Sequence, residues 1–115
     1  MRRGDIHLVD FDPVHGSEAN KVRPAVIVSN DAANQVAART GRGVVTVVPV
    51  TSNTDRVFPF QVLLPAEACG LLADSKAQAE QVRSVATARV RRKVGRVPGG
   101  VLGRVDDALR THLGL

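Results

Sequence analysis

Apolar positions along this chain come in short bursts, most of them with the period of two that marks a strand. Asp5 to Phe11 alternates in part, and Asp12-Pro13 breaks it. Pro24 to Val28 is a brief apolar run with β-branched residues, as expected of a buried strand. Val44 to Val50 is the clearest strand, with five valines in seven residues. Val57 to Leu64 alternates so that Phe58, Phe60, Val62 and Leu64 share one face. Ser75 to Val85 reads as one or two short strands, and Lys93 to Val97 as another. Helical spacing occurs twice. Asn30 or Asp31 can cap a short helix running to about Arg39. Pro98 suits the opening turn of a closing helix. Its Val101, Leu102, Val105, Leu109 and Leu113 form an apolar stripe, with Asp106, Asp107 and Arg110 turned away from it. Polar stretches at 12–22, 41–43, 51–55 and 67–74 separate these elements.

Several short strands and a terminal helix predict an α+β fold, mainly β: a small, strongly curved sheet or barrel with helices on one side. The 115 residues suit a single domain, 1–115, and a 43% apolar content is enough to fill one core. The strands at 24–28 and 44–50 are apolar on both faces. One covering layer is expected to be the terminal helix and the other a second copy of the chain, a homodimer. No apolar run approaches the roughly 20 residues of a membrane span, and Met1-Arg2-Arg3-Gly4-Asp5 is not followed by a signal-type apolar stretch. The expected compartment is the bacterial cytoplasm. Cys69 stands alone, so it reads as a small buried side chain before Gly70.

Charge changes the picture. The net charge is +5, and from Gln81 to Val105 there is no acid at all, against Arg83, Arg89, Arg91, Arg92, Lys93, Arg96 and Arg104. Such a stretch attracts a polyanion, most simply nucleic acid; the alternative is a solvated face or a dock for an acidic partner. With no Trp, no Tyr and only Phe11, Phe58 and Phe60, the chain lacks the aromatic surface of sheet-type RNA readers. Any RNA contact is then expected to rest on arginines, backbone groups and hydrogen bonds.

Three segments place polar groups beside buried strands: Gly16-Ser17-Glu18 with Lys21-Val22-Arg23-Pro24, Val48-Pro49-Val50-Thr51-Ser52-Asn53, and Glu80-Gln81-Val82-Arg83-Ser84-Val85. Arg3-Gly4-Asp5-Ile6 and Asp10-Phe11-Asp12-Pro13 precede them. In this order and spacing, over nearly the whole chain, these segments resemble the MazF/PemK toxin family. The resemblance implies an SH3-like barrel of the CcdB/PemK type with short helices and a C-terminal helix. It implies a homodimer, metal-independent and sequence-specific cleavage of single-stranded mRNA, and no cofactor. It further implies a cognate MazE-like antitoxin, with DNA reached through the toxin–antitoxin complex.

Carried over residue by residue, Arg23 matches the family's catalytic arginine and Thr51 its catalytic threonine. Ser17, Glu18, Asn30, Ser52 and Gln81 fall where members contact RNA or shape the cleft, and Lys21 and Arg83 match phosphate contacts. The implied reaction is attack of the RNA 2′-OH on the neighbouring phosphate, leaving a 2′,3′-cyclic phosphate and a 5′-OH. Arg23 suits charge stabilisation through its planar fork, and Thr51 Oγ suits donation to a phosphate oxygen. Arginine is a poor base near neutral pH, so Glu18, His15 and Arg23 all stay open for that role. The family has an aromatic near His7, so this chain departs there, and a half-buried or surface ring is expected. Asp10 and Asp12 have no third acid beside them for a two-metal site.

Each residue also has a plain structural reading. Arg23 suits an ion pair with the loop acids, Thr51 backbone satisfaction after a strand, Glu18 a solvated loop, and Gln81 and Arg83 a solvent-facing strand. Two other functions suit the same fold: a CcdB-like gyrase-binding toxin, and a non-catalytic barrel that binds RNA or protein.

Overall fold

The computed structural model describes residues 1–11 and 22–115. Seven strands are resolved among them: β1 Asp5–Asp10, β2 Val22–Ile27, β3 Val44–Thr51, β4 Gln61–Leu64, β5 Ser75–Gln78, β6 Arg83–Ala86 and β7 Val90–Arg96. Three helices accompany them, α1 Asp31–Thr40, α2 Ala66–Cys69 and α3 Gly99–Leu113. The strands form one antiparallel sheet in the order β4-β5-β3-β2-β1-β7, with β6 also paired to β3.

Strand β3 organises the sheet, and its valines from Val45 to Val50 are buried on both faces as the apolar run predicts, while Val44 at its start is exposed. On one face Val48 and Val50 join Ile6, Val26, Val62 and Leu64 beneath Val105 and Ala108 of α3. On the other face Val45 and Val47 join Val9, Ala25, Ile27, Val85 and Ala37 of α1, with Met1, Phe11 and Val90 packed against them. The second apolar face is therefore filled substantially by this chain's own residues.

Along one edge of β3 the partner strand is broken. Thr51 lies opposite Lys76 and Val50 opposite Ala77, while Val47 lies opposite Arg83 and Val45 opposite Val85. A 3₁₀ turn, Ala79–Gln81, takes up the extra residues between β5 and β6. Such an insertion bends the sheet. The bend goes far enough for the Arg83 guanidinium to lie 5.2 Å from the ring centre of Phe11, which follows β1 three strands away. Strand hydrogen bonds do not close the sheet into a full barrel; this side-chain contact spans the gap.

Both long helices begin and end as their sequences suggest. The Asn30 side chain accepts from Ala33 N–H at 2.8 Å and caps α1, and Gly41 and Gly114 close α1 and α3 in the left-handed conformation. In α3, Val105 is buried and Val101, Leu102 and Leu109 pack on the core, whereas Leu113 is exposed. Asp106 turns away from that core to pair with Arg3.

Two expectations are corrected. The strand expected from Val57 onward begins only at Gln61. Pro59 has no N–H to give a ladder, and a turn forms instead, with Gln61 N–H donating to Phe58 O at 2.8 Å. Phe58 is then 37% exposed rather than sharing the core face with Val62 and Leu64. The expected strand at 93–97 starts earlier, at Val90, because β7 pairs with almost the whole of β1.

Candidate functional site

Arg23 is the second residue of β2 and lies opposite Val9 of β1. On its other side β2 pairs with β3 through Ile27–Val47, Val26–Val48 and Ala25–Pro49. Both strands stay extended beyond that point: β2 pairs with β1 as far as Val22, and β3 with β5 as far as Thr51. The pairing of β2 with β3 ends at Ala25–Pro49. By strand alternation Arg23 and Thr51, two residues further along each strand, fall on the side that bears Ala25, Ile27 and Val47.

Thr51 is half-buried. Its Oγ1 accepts from Asn53 N–H at 3.2 Å, the backbone role expected of a threonine after a strand. The hydroxyl keeps its own proton, so the same bond orients a donor. Arg23 is exposed. An arginine fork and a fixed hydroxyl on neighbouring strands suit a tetrahedral oxyanion such as a phosphate.

Arg83 lies on the same face, opposite Val47, with its guanidinium over Phe11. Gln81 is exposed in the 3₁₀ turn between β5 and β6, alongside the stretch of β3 between Val47 and Val50 that neither strand pairs. Ser52 is not brought together with this group. Being next in sequence to Thr51, it turns to the opposite face, where it lines a groove of about 680 Å³ with Leu8, Pro24, Leu72, Arg92 and Lys93. Neither Arg23 nor Thr51 lines this groove. Asn30 follows the far end of β2 from Arg23, and its side chain caps α1. Ser17, Glu18 and Lys21, together with His15 and Asp12, lie outside the described residues.

The basic segment is partly spent on the fold. Asp5, 3% exposed, accepts from Arg96 at 2.7 Å and from Arg2 N–H at 2.9 Å, and lies 3.3 Å from Lys93 Nζ. Burial pushes its carboxyl up, but the hydrogen bonds and the Lys93 charge outweigh this and leave it below the usual carboxylate range. Arg91 pairs with Asp10, and Arg89 donates to Asp10 O. His7 is half-buried, as expected. Its Nδ1 carries the proton, because it donates to Arg91 O at 2.8 Å, while Nε2 sits 3.9 Å from Asp5. Cys69 is buried, and desolvation pushes its thiol up, away from reactivity. Among the described residues no three His, Cys, Asp or Glu side chains cluster as metal ligands, and no helix is long and apolar enough to cross a membrane.

Sequence reasoning missed the supports beneath the site. Lys76 lies opposite Thr51, is 8% exposed, and donates through Nζ to Arg56 O at 2.6 Å. Gln61 is equally buried, and it accepts from Phe58 N–H and donates to Glu80. The available signal was a polar residue inside an apolar alternation, Gln61 between Phe60 and Val62.

The chain resembles known proteins over its full length. It is 62% identical over 115 residues to Endoribonuclease MazF9 of Mycobacterium tuberculosis, covering 100% of this chain and 98% of that one. Among solved structures, a MazE–MazF crystal structure from Deinococcus radiodurans matches with a TM-score of 0.80 at 30% identity, covering 100% of this chain and 96% of that chain. An endoribonuclease from a mycobacterial species, solved with its cognate antitoxin, matches with a TM-score of 0.77 at 25% identity, covering 100% and 96%. The family model for the PemK-like, MazF-like toxins of type II toxin–antitoxin systems matches residues 2–113, and the chain belongs to that family.

Proposed function

We propose that this endoribonuclease toxin cuts single-stranded mRNA at specific sequences without a metal ion, with Arg23 and Thr51 as its catalytic pair. The reading is supported by the β2–β3 register, whose alternation puts Arg23 and Thr51 on the same side of adjacent strands just past the last paired residues, and by the bond that orients the Thr51 hydroxyl. RNA brings its own nucleophile. The 2′-OH attacks the adjacent phosphorus, the bond to the 5′-oxygen breaks, and the ends are a 2′,3′-cyclic phosphate and a 5′-OH. The chain's part is to hold that geometry and to stabilise charge on the equatorial oxygens. Arg23 receives two of those oxygens in its fork, and Thr51 donates to one. Arg23 also suits protonation of the leaving 5′-oxygen, while the base is assigned to the 12–21 segment, where Glu18 and His15 lie. Arg83 and Gln81 are assigned to the path of the strand beyond the scissile phosphate, and Lys21 and Ser17 to further RNA contacts.

The reading includes a homodimer in the cytoplasm and a MazE-like antitoxin that blocks the basic rim, with DNA contacted through the toxin–antitoxin complex. The related toxins solved with antitoxins support the partner.

The test is incubation of the protein with a long single-stranded RNA in EDTA, followed by mapping of the new 5′ ends. Site-specific cuts with 5′-OH ends are expected. Arg23→Ala and Thr51→Ala should each lower the rate by about 10²–10³-fold, the usual cost of removing one transition-state donor. Intact RNA would overturn the reading, and intact RNA with inhibited gyrase would move the chain to the gyrase-binding class.

A further inference from the structure

The loop that leaves Thr51 carries a cluster of two rings and a guanidinium. The rings of Phe58 and Phe60 are stacked at 5.4 Å between centroids and 2° between planes. The Arg56 guanidinium lies over the Phe58 ring, 4.7 Å from its centre. Arg56 and Phe58 are exposed and Phe60 is half-buried, so the cluster is rooted at Phe60 and open at Phe58 and Arg56.

The loop is braced along its length from the proposed catalytic threonine. Asn53 N–H donates to Thr51 Oγ1, and Asp55 N–H donates to Asn53 Oδ1. The Arg56 carbonyl is held by Lys76, the residue opposite Thr51. Phe58 is tied to Gln61 through both backbone N–H groups, and Gln61 is anchored to Glu80. Two buried polar side chains, Lys76 and Gln61, thus serve to hold an exposed stack beside the strand end that bears Thr51. Burying an ammonium is costly, and a loop needed only as a connection would not require it.

We infer that the Phe60–Phe58–Arg56 cluster is a base-stacking platform, on which one nucleobase of the single-stranded substrate stacks against the exposed Phe58–Arg56 pair. Rings and guanidinium planes both stack bases, whatever the base, and the positive charge adds attraction for the neighbouring phosphate. A duplex offers no free base face, so the platform selects single strands. This rests on the ribonuclease reading above.

The chain has no tryptophan, so Phe58→Trp places a single indole in the cluster. That variant, with Thr51→Ala added to prevent cleavage, is titrated with a single-stranded RNA 12-mer containing the mapped site, and with the same 12-mer in duplex form. Indole fluorescence should be quenched in step with binding by the single strand and not by the duplex. If the wild type cuts no RNA, a mixed-sequence 2′-O-methyl 12-mer replaces the mapped site, which separates failure of the ribonuclease reading from failure of this one. In steady-state cleavage, Arg56→Lys keeps the charge but loses the plane, and KM should rise about 10-fold with kcat held. Arg23→Ala acts instead on kcat. Unchanged fluorescence at saturating single strand, or equal quenching by the duplex, overturns the platform. So does an Arg56→Lys enzyme with wild-type KM.

Discussion

At Asp5 a nearly inaccessible carboxylate gathers an arginine, a lysine and a backbone N–H. Its lowered proton affinity has a defined consequence for pH. A carboxylate with a folded pKa below its unfolded value of about 3.9 stabilises fully above that value and loses the contribution as pH falls through the folded pKa. Urea titrations from pH 6 to pH 2 should show stability falling below about pH 4, and Asp5→Asn should flatten that acid limb. At pH 7 the same variant should be less stable by roughly 2 kcal/mol, the scale of hydrogen bonds to a charged group. This knot was only half legible in the sequence. The acid-free run from Gln81 to Val105 reads as a free basic surface, yet Lys93 and Arg96 face Asp5, a pairing 88 to 91 residues apart that no local pattern reveals. Arg23 and Thr51 were readable as candidates from family motifs. Which side of the sheet each of them takes comes from strand register, which composition cannot supply.

The elements divide by how much of their evidence is local. Strand β3 was legible nearly to the residue because burial on both faces admits only apolar side chains. Helix α1 was equally legible, because its cap is a single side chain. Asn30→Ala should cost about 1 kcal/mol in denaturant unfolding. Should it also raise KM for RNA, Asn30 has a second role besides capping. The 57–60 stretch misled because Val57-Phe58-Pro59-Phe60 carries a strand's alternation while Pro59 denies the ladder a donor. Close contacts between elements were silent as well. Gly95 of β7 runs against the end of α2, where an added Cβ would stand 2.3 Å from Cys69 O. Backbone cannot yield as a flexible side chain can, so Gly95→Ala should lower stability by roughly 3 kcal/mol, measured by the same titration. The activity of the fraction that remains folded should be unchanged, since neither α2 nor Gly95 reaches Arg23 or Thr51.

For the molecule as a whole, the balance of charge decides how substrate arrives. The +5 net charge and the arginines that form no ion pair among the described residues, Arg23 among them, should draw in a polyanion from a distance. KM for RNA should therefore rise steeply between about 50 and 200 mM salt while kcat changes little. A KM insensitive to salt would count against a basic binding face. Another whole-molecule property follows from the seam that joins the first residues to the last helix. Gly4 exchanges hydrogen bonds with Ile27 and Val97, Arg3 pairs with Asp106, and β1 needs β7 on its outer side. A nascent chain that has emerged only to residue 89 has β1 as an unpaired edge and no lid over its main core. RNA cleavage should thus appear only once β7 and α3 have been made and seated against β1 and the main core.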